Sequence, residues 1–195
     1  MQLAEQKIEN QANWCQDLVD GTAQTGPKSA RQRVTLMNQE RKDLQAPQAE
    51  MRASRLRLIR AREAAGKTPQ DLGEYLENVP TYYDMEACDE ELYSVASLGE
   101  LSRLCLALGI KPRDLFDDKP NIEGPILPEQ LLSEAKEYIK KRKLSVAEFS
   151  DCVGFEIEPS LKDPSKMLDW NVDFLRWLCD EIGLDWRLAL PEAKK

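Results

Sequence analysis

The pattern serine-x-x-glutamate stands twice directly ahead of an apolar helical run, at Ser97-Leu98-Gly99-Glu100 and at Ser145-Val146-Ala147-Glu148. Each is a capping box. The serine hydroxyl accepts the N–H three residues on, and the glutamate reaches back to the serine's own N–H. A stop signal recurs as well. Leu104-Cys105-Leu106-Ala107-Leu108-Gly109-Ile110 is paralleled by Leu178-Cys179-Asp180-Glu181-Ile182-Gly183-Leu184, each with a glycine where a helix closes in the left-handed conformation. Punctuation this dense leaves room only for short helices in succession, so the expected class is all-α, as two small helical units.

The first unit is expected over residues 51–118. Leu56 and Ile59 lie three apart on one helical face, Ala64 returns to that side, and Gly66 ends the helix. Thr68 is a good N-cap, Pro69 suits the first turn, and Asp71 places a carboxylate at a helix N-terminus. Leu72, Tyr75 and Leu76 form the apolar face of this second helix. Asn78-Val79-Pro80 reads as a turn and Thr81–Met85 as a short third helix with Tyr82 and Met85 inward. Leu98, Leu101, Leu104, Cys105 and Leu108 line the fourth helix, and Lys111–Phe116 adds one more turn.

Three prolines and a glycine between Asp117 and Pro128 mark a linker, placed at 119–128 and read as a semi-rigid spacer. A second unit, 129–191, partly repeats the first, with Phe149 and Val153 in the places of Leu72 and Leu76. Thr68 to Gly109 spans 41 positions and Ser145 to Gly183 spans 38, which predicts a duplicated fold with eroded sequence. Residues 1–50, rich in Gln, Asn and Ala with a loop at Gly21–Pro27, are expected to form a partly ordered arm or to be disordered.

The chain contains no histidine. That removes imidazole as general base and as metal ligand. There is no Cys-x-x-Cys pair, glycine-rich phosphate loop or Gly-x-Ser-x-Gly elbow. No enzymatic activity, cofactor or metal is expected. The five cysteines, at 15, 88, 105, 152 and 179, are read as reduced thiols of a cytoplasmic protein. No apolar stretch approaches the roughly 20 residues of a membrane helix, and Met1–Gln6 lacks the pattern of a secretory signal; no membrane contact is expected.

The net charge of −8 by itself disfavours nucleic acid, but the charge is unevenly placed. Arg52, Arg55, Arg57, Arg60, Arg62 and Lys67 stand against the single acid Glu63, whereas Asp84, Glu86, Asp89, Glu90 and Glu91 crowd residues 84–91. A second basic run is Lys140-Lys141-Arg142-Lys143. Either run is a phosphate grip or a solvated helix face; cations also suit a helix C-terminus. Trp170, Trp177 and Trp186 read as core anchors of the second unit.

Over residues 53–117, Leu56 through Arg62, Thr68-Pro69-Gln70-Asp71-Leu72, Thr81-Tyr82-Tyr83-Asp84-Met85-Glu86 and Leu101 through Phe116 resemble the lambda-repressor-like (Cro-type) helix-turn-helix family, with 129–191 as a degenerate second copy. The resemblance implies five short helices, with the third in the major groove of double-stranded DNA. It implies that Gln70 approaches backbone or bases from the start of helix two, that Thr81, Tyr83 and Asp84 face the groove, and that Glu86 is structural. Arg60, Arg62 and Lys67 are expected near phosphates. The implied function is a DNA-binding transcriptional regulator of bacterial or phage type, strengthened by homodimerisation or by the second unit. The alternative is a protein-interaction module that keeps the fold, with the acidic segment 84–91 and the tryptophan-rich unit contacting a partner protein.

Overall fold

Ser97 Oγ accepts the Glu100 N–H at 3.2 Å while the Glu100 carboxylate accepts the Ser97 N–H at 2.9 Å, and a helix begins there. Ser145 with Glu148 and Thr68 with Asp71 make the same reciprocal pair ahead of two further helices. The computed structural model describes residues 48–116 and 125–191; within them the regular structure is helical, with one isolated antiparallel bridge between Ser97 and Asn171. The expectations for residues 1–47 and for the spacer at 119–124 lie outside the described residues. No described helix is long and apolar enough to cross a membrane.

Residues 48–116 form α1 (Gln48–Ala64), α2 (Pro69–Gly73), α3 (Val79–Ala87), α4 (Glu91–Ser94), α5 (Leu98–Leu108) and α6 (Pro112–Phe116). That is six helical segments against the five expected. The added one, α4, carries Leu92 and Tyr93, both fully buried. Residues 125–191 form α7 (Pro128–Arg142), α8 (Val146–Val153), α9 (Glu158–Lys162), a 3-10 turn (Pro164–Asp169), α10 (Val172–Ile182) and a second 3-10 turn (Trp186–Ala189). Pro128, expected to close the linker, is the first residue of α7.

Two further expectations are corrected. The described part of α1 runs from Gln48 to Ala64, and its buried face is Met51, Ser54 and Leu58 rather than Leu56 and Ala64, which are exposed. Packing against α3, α4 and α6 selects that face, and it tolerates Ser54 because the Ser54 hydroxyl meets the Tyr93 hydroxyl at 2.9 Å. Helix α3 starts at Val79, not Thr81. Pro80 falls in its first turn, where a missing N–H leaves no intrahelical bond unmade.

Set side by side, the two halves follow one order. A long helix ends at a residue with positive φ (Gly66 at +64°, Lys143 at +56°). A capping box opens a short helix, and the buried residues on it or just after it correspond: Leu72 and Leu76, Phe149 and Val153. A second short helix and a turn lead to an 11-residue helix, α5 or α10, with Leu101, Leu104 and Cys105 matching Leu175, Leu178 and Cys179 in full burial. Gly109 and Gly183 close these helices at +70° and +78°.

The halves share one apolar core inside the unit Ala46–Lys195. Their junction is reciprocal. The N-caps of the corresponding helices, Ser97 and Asn171, pair antiparallel, and the Leu98 N–H donates to the Trp170 carbonyl at 2.6 Å. Helix α5 packs on the first 3-10 turn, while α10 packs on α4. Helix α6 packs on the second 3-10 turn, its own counterpart, through a Phe116–Trp186 ring contact of 5.2 Å with Tyr93 against both rings. Corresponding parts of the two halves thus exchange contacts, as parts related by a twofold axis do. Trp186 therefore anchors the junction, not the second half alone.

Candidate nucleic-acid interface

Helix α2 meets α3 at very close range. A Cβ built on Gly73, the last residue of α2, would lie 2.8 Å from Val79 Cγ1 and 3.1 Å from Val79 Cα. Only a residue without a side chain lets the two backbones approach this far. Tyr82 and Met85 then turn into the core at 0% exposure, which rotates Tyr83 and Asp84 outward. The Tyr83 hydroxyl, on a ring 46% exposed, donates to the Gln70 side-chain oxygen at 3.3 Å. Gln70, on the first turn of α2, and Tyr83, on the outer face of α3, thus form one polar surface. Thr81 sits half-buried beside it.

The basic residues divide. Arg62 points inward: its Nε donates to Glu86 Oε1 at 2.5 Å, its Nη2 to Glu86 Oε2 at 3.2 Å and its Nη1 to the Lys67 carbonyl at 3.0 Å. The bond to Glu86 holds its pKa above the ordinary arginine value, against the opposing effect of burial. This bidentate clamp fixes the end of α3 to the end of α1 and leaves the Arg62 side chain 14% exposed. Arg55 does the same one step along, with Nε on Asp89 at 2.6 Å and Nη1 on the Glu86 carbonyl at 2.8 Å. Arg60 is exposed and Lys67 half-buried, and neither forms an ion pair among the described residues. Of the six residues expected at the interface, Gln70 and Tyr83 are joined, Thr81, Arg60 and Lys67 lie at accessible positions, and Arg62 is held inside the fold.

The same clamps alter the acidic segment. Glu86 and Asp89 are neutralised by Arg62 and Arg55, leaving Asp84, Glu90 and Glu91. A signal for this was present in the sequence: Arg55 and Arg62 are seven apart, two turns of one helix, and Glu86 and Asp89 are three apart. Asp71 stays ionised at the α2 N-terminus, its pKa lowered by the Thr68 N–H and then by the Thr68 hydroxyl. Burial drives the Cys105 and Cys179 thiols up, away from reactive thiolate. Among the described residues no cluster of His, Cys, Asp or Glu could hold a metal ion. No family model matches the chain, and comparison with curated proteins and with solved structures gave no match.

Proposed function

We propose that this chain is a DNA-binding regulator of transcription, of bacterial or phage type and working in the cytoplasm, with α2 and α3 as a Cro-type helix-turn-helix. The observation that carries the reading is the Tyr83–Gln70 contact across the Gly73–Val79 approach. It presents two side chains able to hydrogen-bond base edges or phosphate on a rigid pair of helices, as groove readers require. Arg60 and Lys67 supply charge beside that surface, and the pairing of Arg62 and Arg55 with Glu86 and Asp89 lowers the repulsion a phosphate would meet there.

The second reading, a protein-interaction module on the same fold, is favoured by Asp84, exposed on the outer face of α3 next to Tyr83. Fluorescence anisotropy of the full chain with random-sequence duplex DNA separates the two. For the regulator, binding is expected at low salt, falls steeply with added salt, and is lost on Arg60→Glu with Lys67→Glu. Absence of binding at low salt would sink this reading in favour of the protein partner.

A further inference from the structure

We infer that the chain binds duplex DNA as a one-chain pseudo-dimer, with Lys140, Lys141 and Lys143 of the second half gripping phosphates beside the stretch that α2 and α3 read. This rests on the DNA-binding reading and adds the extent, asymmetry and stoichiometry of the contact.

The first ground is the twofold relation. In a symmetric pair of helix-turn-helix units, the two binding corners contact one duplex about one helical turn apart. Here the position of a second subunit is taken by residues 125–191, packed through the Ser97–Asn171 bridge and the Phe116–Trp186 contact. A twofold axis keeps equivalent corners at the same height along it. The corner where α1 passes into α2 therefore has its counterpart where α7 passes into α8.

Charge is the second ground. The first corner carries Arg60 and Lys67. The second carries Lys140, Lys141 and Lys143, all exposed and none in an ion pair among the described residues, while Arg142 lies over the Tyr138 ring at 5.4 Å. Glu137 and Glu148 are the nearby acids in sequence, and Glu148 is committed to Ser145. The bases are not read on this side. Helix α9, at the place of α3, is a five-residue segment whose Glu158 is tied to Lys162 at 2.7 Å. The second corner is thus equipped for backbone without sequence.

The third ground is Lys143 itself. It is the only non-glycine residue with positive φ among those described, at +56°, and it matches Gly66. Such a position favours glycine by about 1 kcal/mol or more. A lysine there costs fold stability and places a cation at this corner.

The test uses the full chain and duplex DNA, with the slope of log binding constant against log salt as readout. Each phosphate contact contributes about 0.9 to that slope, so Lys140→Ala, Lys141→Ala, Lys143→Gly together are expected to make it shallower by about 2–3, equally for all sequences. Lys143→Gly alone is expected to raise the melting temperature while weakening binding, an outcome that misfolding cannot produce. Sedimentation should show one chain per duplex, with protection extending about 10 base pairs to one side of the sequence-selective contacts. An unchanged slope in the triple variant, or two chains per site, overturns the inference while the regulator reading stands. Failure of the wild-type chain to bind any duplex overturns both.

Discussion

The two halves of the molecule share their skeleton and differ in what they place on it. Six residues before the N-cap of the next helix, Thr68 or Ser145, the first half has Arg62 clamped to Glu86, while the second has buried Ile139. Where the first has Gly73 touching Val79, the second has Ser150, whose hydroxyl accepts the Ile157 N–H at 3.3 Å and so spaces α8 from α9. At the third residue of the long C-terminal helix the first has Glu100, the second Phe174. Caps, stops and the Leu-x-x-Leu-Cys face are common to both. What differs are the residues that set the angle and spacing of the two short helices, and only the first half holds them close enough to join Gln70 to Tyr83. A fold survives such divergence because its apolar face and helix ends are retained, whereas a surface for recognition does not.

The largest test of this contrast is Arg62→Ala. It strands the carboxylate of Glu86, a side chain 17% exposed, without its partner, and is expected to destabilise the protein by about 2 kcal/mol. Denaturant unfolding of the variant in a Trp14→Phe background, followed by far-ultraviolet circular dichroism and by emission of Trp170, Trp177 and Trp186, should give coincident, equally shifted curves. Separate transitions would break the view that both halves share one core.

Gly73→Ala is next. Its Cβ would press on Val79 backbone and side chain, so a loss of about 1–2 kcal/mol is expected, together with weaker duplex binding as α3 shifts. Ser150→Ala, at the matching site, removes one long hydrogen bond and should change stability by less than about 1 kcal/mol. Equal effects at both positions, measured by thermal melts, would mean that the α2–α3 approach is nothing special.

The smallest effect concerns Glu100. Burial raises its pKa, but the N–H groups of Ser97 and Glu77 and the Ser97 hydroxyl lower it more, and the net value falls below the ordinary 4.5. A depressed carboxylate stabilises the fold fully above that value and loses its contribution as pH falls through the folded-state pKa. Glu100→Gln should therefore be about 1 kcal/mol less stable at pH 7, with the difference shrinking below about pH 4.5. A constant difference down to pH 3 would show that shape, not charge, is what Glu100 supplies to the first half.

Sequence alone determined what is local in this protein. The capping boxes at Ser97 and Ser145, the stops at Gly66, Gly109 and Gly183 and the inward Tyr82 and Met85 all depend on residues within four or five positions of one another, where helix geometry dictates who meets whom. Of the candidate interface, the outward position of Tyr83 was an implication of the family resemblance, and its exposure agrees with it. Tertiary structure decided the rest. Which side of α1 is buried depended on Tyr93, 39 positions away from Ser54. Whether Arg62 faces phosphate or Glu86 depended on a partner 24 positions away. The joining of the halves depended on Trp186 reaching Tyr93 and Phe116. Charge and periodicity name the residues able to make such contacts, but many pairings satisfy the same pattern, and only simultaneous packing of all the helices selects among them.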